Sequence, residues 1–180
     1  GFGAWAIGGP AKLGEVEIGW GEVDDALSLR AIDAAYDAGV TFFDTADVYG
    51  TGRSEVLIGK ALKSKRDRAV IATKVGNRTS ADGQWVKDFS KSWISEAIDA
   101  SLTRLGTDYV DLYQLHSGTD TAQYRDETFE ALEALKAAGK IRHYGISVGP
   151  CAHGPWVIRN TSAATIQVIY NMLEREPEAE

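Results

Sequence analysis

The hydrophobic positions of this chain switch repeatedly between a helical period and short apolar runs. Three times, a helical stripe ends at a glycine and a β-branched run follows almost at once. The stripe of the first such unit consists of Leu29, Ile32 and Tyr36. Asp24 or Asp25 can cap the start of this helix, and Gly39 stands where a left-handed C-terminal cap belongs. The pattern therefore predicts a helix followed by a strand that begins at Val40.

The other two units repeat this pattern. Gly106 ends the second helical stripe before a strand expected near Tyr109, and Gly139 ends the third before a strand that opens at Ile141. Their stripes consist of Ile94, Ile98 and Leu105 in the second unit, and of Phe129, Leu132 and Leu135 in the third. Three further apolar runs are predicted as strands: residues 2–8, 69–76 and 165–171. Strands that alternate with helices through short connections imply a parallel sheet with right-handed crossovers.

Some segments between these units carry no periodic pattern. Segment 76–90 is polar, so it is predicted to be a loop at the C-terminal end of a strand, where functional residues concentrate. Trp20 and Trp85 fall in loops expected near the same end, and either a substrate pocket or surface packing would account for them. Ser54 is predicted to cap the helix that begins around residues 52–55.

Two architectures fit this alternation, a doubly wound open sheet and a (β/α)8 TIM barrel. A dinucleotide-binding open sheet calls for G-x-G-x-x-G after its first strand, and the glycines of residues 1–9 lack that spacing. The alternation of side chains along the strands favours the barrel. On one face of three predicted strands, the last residue at the C-terminal end is polar: Asp44, Lys74 and His116. A full barrel typically needs ~250 residues. We therefore predict an α/β fold, a single barrel domain over residues 1–180 with about six βα units present and the last two absent.

Composition narrows the class of partner and the compartment. The chain has 180 residues, 44% of them hydrophobic, and a formal charge of −7 from 19 basic and 26 acidic residues. Without a basic cluster, no nucleic acid or membrane partner is expected, and no apolar run approaches the ~18 residues of a membrane-spanning helix. Cys151 is the single cysteine, which favours a reducing compartment and a cytoplasmic location. His143 and His153 lack metal-ligand spacing, so no metal site is expected.

Four polar residues lie at or just beyond the C-terminal ends of predicted strands: Asp44, Tyr49, Lys74 and His116. Neighbouring barrel strands would bring them together at one mouth. A tyrosine beside a lysine can serve as a general acid, because one ammonium at ~4 Å and an effective dielectric of ~20 contributes about 4 kcal/mol towards its ionisation. Asp44 would keep Lys74 charged, and His116 could donate a hydrogen bond that orients a carbonyl group.

Each of these residues also has a structural interpretation. Asp44 could cap the following turn, Tyr49 could pack over that turn, and His116 could be a hydrogen-bonded structural histidine. Lys74 is harder to explain in this way, because a lysine directed into a barrel mouth must be paired or solvated. Lys74 could instead form a Schiff base with a substrate, which would leave Tyr49 without a role. The functional interpretation depends on the joint pattern of all four residues.

Four stretches of the chain are distinctive in their order and spacing: FFDTADVYGTGRSEVLIGKAL, VIATKVG, DLYQLH and GKIRHYGIS. Together with GFGAWAIGG at the start and IQVIYNMLERE near the end, they resemble the aldo-keto reductase family over essentially the whole chain. Members of that family are barrel enzymes that use a nicotinamide cofactor without a Rossmann domain. The resemblance identifies Asp44, Tyr49, Lys74 and His116 with the family's catalytic tetrad, in which Tyr49 protonates the carbonyl oxygen as hydride arrives.

The resemblance also implies a set of cofactor-binding residues: Ala4, Trp5, Asp44, Ser147 and Gln167. Ser147 and Gln167 match positions that contact the nicotinamide carboxamide, while Ala4 and Trp5 match a loop that borders cofactor and substrate. Val148 stands where the family usually has asparagine, which removes one expected carboxamide hydrogen bond. NADPH is the cofactor that the family implies. The segment that would bind its 2′-phosphate is expected after the sixth strand, so NADH remains an alternative cofactor.

The sequence thus predicts an oxidoreductase that transfers a hydride from NADPH to the carbonyl group of a small aldehyde or ketone. The partner expected is that small carbonyl substrate. A cofactor-binding regulatory subunit is the alternative, since the family resembles potassium-channel β subunits, which keep the barrel while serving a partner. An intact tetrad does not separate the two. The particular substrate and the oligomeric state are not predicted, because pocket loops vary freely on this scaffold.

Overall fold

The computed structural model describes residues 1–118 and 120–179. Thr119 and Glu180, which the single-domain prediction includes, lie outside the described residues. The α-helices are α1 (Asp25–Asp37), α2 (Arg53–Leu62), α3 (Lys91–Leu105), α4 (Asp126–Ala137) and α5 (Gly154–Asn160). The strands are β1 (Phe2–Gly3), β2 (Lys12–Leu13), β3 (Val16–Glu17), β4 (Phe42–Asp44), β5 (Val70–Val75), β6 (Asn77–Thr79), β7 (Trp85–Lys87), β8 (Val110–Gly118), β9 (Ile141–Val148) and β10 (Thr165–Gln167). Within the described ranges, no helix is long and apolar enough to cross a membrane.

Six strands form one parallel sheet in the order β1-β4-β5-β8-β9-β10. This order follows the chain, without the reversal that defines a doubly wound sheet. The sheet is curled, because Gln167 Nε2 on β10 lies 3.2 Å from Asp44 Oδ2 on β4 although three strands separate them in the sheet. The predicted fold class is confirmed: the six strands form a curled part of a (β/α)8 barrel.

The core lies between the outer face of this sheet and the helices. Alternate residues of the strands are directed outward and are almost completely buried: Phe43, Ile71, Tyr113, Leu115 and Ile146. They belong to one apolar cluster with stripe residues of the helices: Ile32, Ile58, Ile98 and Leu132. Full burial of one such side chain contributes ~1.5–3 kcal/mol. The opposite face of the same strands carries the polar groups of the candidate site.

Signals in the sequence set most helix ends. Asp24 caps α1, since its Oδ1 accepts a hydrogen bond from Leu27 N at 2.8 Å. The three glycines predicted to follow helices have φ angles of +92°, +64° and +75°: Gly39, Gly106 and Gly139. Residues other than glycine rarely adopt this left-handed conformation. Each helix therefore stops where the following strand has to begin.

Helix α2 begins differently from the prediction. Gly52 is its N-cap, with φ +92°, and Ser54 lies inside the helix. The Ser54 hydroxyl is buried, donates a hydrogen bond to Ala4 O at 2.8 Å and lies 2.8 Å from Thr45 Oγ1. The prediction of Ser54 as the cap was wrong. The hydroxyl instead holds α2 against the chain segments that follow β1 and β4.

Segment 76–90 contains a β-hairpin where the sequence predicted a loop. Strands β6 and β7 pair antiparallel, and their turn closes with a hydrogen bond from Gly83 N to Ser80 O at 2.9 Å. Three-residue strands are too short to show a period, which is why the pattern missed them. A second hairpin, β2–β3, lies against the first, with Gly14 N donating to Thr79 Oγ1 at 3.3 Å.

Three predicted strands are shorter in the structure than in the prediction. The run over residues 2–8 leaves the sheet after β1 and continues as a 3₁₀ turn at Ala6–Gly8. Strand β10 ends at Gln167, before the predicted end, and β4 begins after Val40. Apolar composition alone does not set the bounds of a strand, because pairing with the neighbouring strand decides where it stops. Ile169 and Tyr170, which follow β10, are exposed.

Candidate active site

Strand register places the polar groups of the inner sheet face side by side. Lys74 on β5 pairs with Gln114 on β8, and His116 on β8 pairs with Ser147 on β9. Asp44 is the last residue of β4. Because all of these strands run in the same direction, their carboxyl ends meet at one mouth. The structure thus brings Asp44, Lys74 and His116 together at the end of the sheet where strand parity predicted them.

Lys74 lies at the centre of the site, and it is only 1% exposed. Its Nζ donates to Asp44 Oδ1 at 2.5 Å, to Thr45 O at 2.9 Å and to Tyr49 Oη at 3.2 Å. These three acceptors match the three donors of an ammonium group. A buried ammonium needs such pairing, since desolvation of an unpaired charge is very unfavourable. Lys74 is therefore held in one position, in contact with the Tyr49 hydroxyl.

The carboxylate of Asp44 fixes Lys74 and is itself fixed from the other side of the barrel. Its Oδ2 accepts from Gln167 Nε2 at 3.2 Å and lies 3.4 Å from Gln114 Nε2. One carboxylate thus contacts side chains from three other strands. The sequence analysis did not select Gln114 as a site residue, although it shares a strand face with His116.

Tyr49 reaches the site from the turn after β4. Its ring stacks on Trp5 at a centroid distance of 5.8 Å and meets His116 edge-on, also at 5.8 Å. The ammonium of Lys74 lies 4.8 Å from the centre of the same ring. The hydroxyl accepts from Lys74, so its own O–H remains available to donate to another molecule. The structure therefore adds Tyr49 to the three strand residues as predicted.

A close backbone contact holds the Tyr49 turn in place. Gly50 has φ +63°, and a Cβ at this position would collide with the carbonyl group of Gly8. A Cβ on Gly8 would in turn lie 2.8 Å from Tyr49 C and from Gly50 N. The turn that carries Tyr49 can approach the 3₁₀ turn after β1 only because both residues are glycines.

Gly50→Ala is expected to destabilise the protein by ~2–4 kcal/mol, from the left-handed backbone and from the collision with Gly8. Gly21→Ala is the matched control, because Gly21 also has positive φ (+76°) but open space where a Cβ would lie. Urea unfolding of both variants measures the difference. Equal losses in the two variants would show that the backbone contact does not position the Tyr49 turn.

His116 is a buried imidazole at the mouth. Burial lowers its pKa well below the ordinary value of 6.5, and the positive charges of Lys74 and Lys87 lower it further. The ring is therefore neutral at physiological pH, with one nitrogen protonated. Among the described residues, the buried Nδ1 has no hydrogen-bond partner. A neutral imidazole in this position can donate one hydrogen bond to a ligand, but it is not a ready source of protons.

A cavity of about 410 Å³ opens beside Tyr49 and His116. Aromatic and aliphatic side chains form much of its wall: Trp5, Leu13, Ile18, Val48 and Trp85. Trp85 Nε1 donates to Asn77 Oδ1 at 3.0 Å, which fixes the indole in the wall. Trp85 thus lines the pocket, whereas Trp20 is 60% exposed and meets Trp5 edge-on at 5.5 Å. Sequence reasoning left both tryptophans open between pocket and surface.

The residues predicted to bind a cofactor differ in their surroundings. Ser147 and Gln167 pair in register on β9 and β10, and the Gln167 amide contacts Asp44. Trp5 lies against Tyr49, and its Nε1 donates to Ile18 O at 2.8 Å. Ala4 is 0% exposed, and its backbone binds Asp44 O and Ser54 Oγ. The Ala4 backbone thus joins the segment after β1 to β4 and α2, and its role at the cofactor stays a prediction.

Comparisons with known proteins identify the family of this chain. The model of the Aldo/keto reductase family matches residues 1–180. The uncharacterized oxidoreductase YqkF of Bacillus subtilis is 41% identical over 178 residues, which cover 94% of this chain and 57% of the relative. The NADH-specific methylglyoxal reductase of Escherichia coli is 35% identical over 195 residues, covering 100% and 57%. The chain belongs to the aldo/keto reductase family, and it spans little more than half the length of these curated relatives.

Solved structures show the same similarity. The holo form of an aldo-keto reductase from Bacillus halodurans matches with a TM-score of 0.83 and 39% identity, over 99% of this chain and 55% of that one. An aldo/keto reductase from Klebsiella pneumoniae, solved in complex with NADP and acetate, matches with a TM-score of 0.77 and 32% identity. That match covers 100% of this chain and 57% of the other.

Proposed function

We propose that this chain supplies the site of an oxidoreductase that reduces the carbonyl group of a small aldehyde or ketone with NADPH. The observation that supports this best is the position of Lys74 Nζ, which contacts the Asp44 carboxylate and the Tyr49 hydroxyl at the edge of an open cavity. This is the arrangement that a tyrosine general acid requires, with a fixed positive charge beside the oxygen that loses a proton.

The proposed roles follow from what each group can donate. The Tyr49 O–H donates its proton to the carbonyl oxygen, and the Lys74 ammonium stabilises the negative charge that remains on Tyr49 Oη. The neutral imidazole of His116 donates a hydrogen bond to the same carbonyl oxygen and so orients the substrate. When bound, the reduced nicotinamide supplies hydride to the carbonyl carbon. One hydride and one proton convert the carbonyl group into an alcohol.

Ser147 and Gln167 fit a nicotinamide carboxamide, which needs both a donor and an acceptor. They lie opposite each other on adjacent strands, and the Gln167 amide nitrogen is already bound by Asp44, which leaves its oxygen as an acceptor. The Klebsiella relative was solved with NADP, whereas the E. coli relative is NADH-specific. We propose NADPH for this chain and, because Cys151 is its single cysteine, a cytoplasmic location.

The surroundings of Lys74 argue against a Schiff-base mechanism. An amine nucleophile must present a lone pair to the substrate. Here all three donor positions of Nζ are directed at oxygen acceptors, as in an ammonium ion. The side chain is also buried, so a substrate carbonyl carbon would have to displace Tyr49 or Asp44 to reach it.

The test is deuterium transfer from NADPH labelled at C4 to 4-nitrobenzaldehyde, with the complete protein and with residues 1–180 in parallel. We expect one deuterium on the benzylic carbon of the alcohol product. Tight NADPH binding without transfer, together with a co-purifying protein, would favour the regulatory subunit. Borohydride trapping of a substrate adduct on Lys74 would replace the proposed mechanism with a Schiff base.

A further inference from the structure

Lys87 contributes a positive charge to the wall of the substrate cavity. It is the last residue of β7, in the hairpin that the sequence predicted to be a loop. Its Nζ donates to His116 O at 2.9 Å, and the side chain lines the same cavity as Tyr49, His116 and Trp85. The ammonium also lies 5.8 Å from the centre of the Trp85 ring. Lys87 is therefore a second lysine near Tyr49 and, unlike the buried Lys74, it lines the cavity.

The two lysines differ in their charge partners. Lys74 is paired with the Asp44 carboxylate at 2.5 Å. Among the described residues, no carboxylate lies within salt-bridge distance of Lys87, and His116 O is the acceptor seen for it. Asp47 is the acidic group that acts on Lys87, but burial and the nearby Glu55 raise the pKa of Asp47 well above its ordinary value. Among the described residues that line the cavity, Lys87 is the single lysine, arginine or carboxylate, so the wall carries a positive charge when Lys87 is protonated.

The absence of a strong partner has a consequence for Lys87 itself. Burial lowers its pKa to about 8, and the charge of Asp47 opposes this only in part. An anion in the cavity would favour the protonated form and provide the missing charge-assisted hydrogen bond. One backbone carbonyl alone does not require a charged side chain, because a neutral donor would satisfy it equally well.

We propose that Lys87 makes the cavity selective for aldehydes or ketones that also carry a carboxylate group. The carbonyl end of such a substrate contacts Tyr49 and His116, its apolar part lies against Trp5 and Trp85, and its carboxylate binds Lys87 Nζ. This inference rests on the proposed reductase function and names its substrate class. Neither Ser147 nor Gln167 lines the cavity, so Lys87 lies on the substrate side of the site, away from the positions assigned to the nicotinamide.

The experiment compares two substrates that differ only in charge, 4-carboxybenzaldehyde and its methyl ester. The complete protein is assayed at pH 7 as wild type, as Lys87→Met and as Lys91→Met. Lys91 is an exposed lysine at the start of α3, so its variant changes the net charge equally outside the cavity. We expect the ratio of kcat/KM values, acid over ester, to fall ~10–100-fold in Lys87→Met, mainly through KM. Lys91→Met should keep the wild-type ratio.

The dependence on pH provides a second readout. Below pH 8 the Lys87 ammonium is charged, so the wild-type acid-to-ester ratio should fall as the pH rises through about 8. The charged and titratable groups around Lys87 are Asp47 after β4, Tyr49 in the turn after β4, His116 on β8 and the Lys74–Asp44 pair. Ionisation of Tyr49 removes the proton needed by acid and ester alike, so it cancels in their ratio. His116 has its pKa well below this range, so it does not produce the same transition. A ratio that stays constant across this pH range would overturn the proposal.

Two other outcomes would also overturn the proposal. Equal losses for acid and ester in Lys87→Met would assign Lys87 a purely structural role at His116. A weaker NADPH affinity in Lys87→Met, with the ratio preserved, would assign Lys87 to the cofactor.

If the wild-type protein reduces neither the acid nor the ester, the reductase proposal fails. A binding measurement then tests whether Lys87 forms an anion site. NMR of ¹³C-dimethylated lysines, with the Lys87 signal assigned by its loss in Lys87→Met, should then show its pKa rising on addition of 4-carboxybenzyl alcohol. No rise would refute the anion site.

Discussion

Tyr49→Phe is expected to lower kcat for carbonyl reduction by about 10²–10⁴-fold, the range associated with loss of a positioned general acid. The phenyl ring preserves the stacking on Trp5 and the edge contact with His116, so the shape of the cavity is retained. Only the hydroxyl in contact with Lys74 is removed. Steady-state kinetics with 4-nitrobenzaldehyde measure the loss of kcat. Fluorescence titration measures the affinity for NADPH, which should stay within ~2-fold of wild type because the residues proposed to contact the nicotinamide, Ser147 and Gln167, are unchanged.

Tyr36→Phe is the matched control for this experiment. Tyr36 also lies beneath a lysine, with Lys65 Nζ 4.5 Å from its ring centre, but on α1 at the outside of the barrel. Removal of the Tyr36 hydroxyl should leave kcat at the wild-type value. Turnover by Tyr49→Phe at the rate of Tyr36→Phe would mean that another group protonates the carbonyl oxygen, and the proposed mechanism would have to be abandoned.

Arg104→Met is expected to destabilise the protein by ~3–5 kcal/mol, the usual effect of leaving a buried charge without its partner. The charge is that of Glu55 on α2, whose side chain is 0% exposed. Its carboxylate accepts from Arg104 Nε at 2.6 Å and from Thr73 Oγ1 on β5 at 2.5 Å. The Glu55 carboxylate joins α2 and α3 to β5, the strand that carries Lys74. Loss of its ion pair with Arg104 should therefore lower the free energy of unfolding more than it lowers the affinity for ligands.

Urea unfolding measures this effect, with Arg68→Met as the control for loss of an exposed arginine side chain. The double variant Arg104→Met/Glu55→Gln adds a stringent test, because it removes both charges. It should recover part of the stability lost in Arg104→Met, which a double-mutant cycle quantifies. A loss below ~1 kcal/mol in Arg104→Met would show that Glu55 finds another partner or is solvated in the folded protein.

The sequence predicted those features that depend on local signals. Gly39, Gly106 and Gly139 mark helix ends because their left-handed backbone suits few other residues. Lys74 stood out because a lysine in an apolar strand needs a partner, and Asp44 was available at the end of the neighbouring strand. Such signals are visible in single residues or in one repeating unit of the chain.

Features that depend on contacts between distant segments were harder to predict. Gln114 has the same local environment as any polar residue on a strand, and only the curl of the sheet brings its amide towards Asp44. Ser54 looked like a helix cap, but its hydroxyl finds acceptors on segments distant in the sequence. Lys87 lay in a polar segment without a period, so nothing in the sequence indicated that its side chain enters the cavity.

The parallel sheet and the two hairpins contribute different parts of the proposed site. The proposed proton-transfer groups belong to the parallel sheet and to the Tyr49 turn, while much of the cavity wall comes from β2–β3 and β6–β7. Neither hairpin contributes a strand to the parallel sheet, so the pairing of the parallel strands does not depend on hydrogen-bonded strand pairing with the hairpins. The two must be exchanged together, since Gly14 lies against the backbone of Gly83 and Trp85 and leaves no room for a side chain. Transplanting this pair of hairpins between relatives should therefore transfer substrate preference as one module, a direct route to redesigning selectivity.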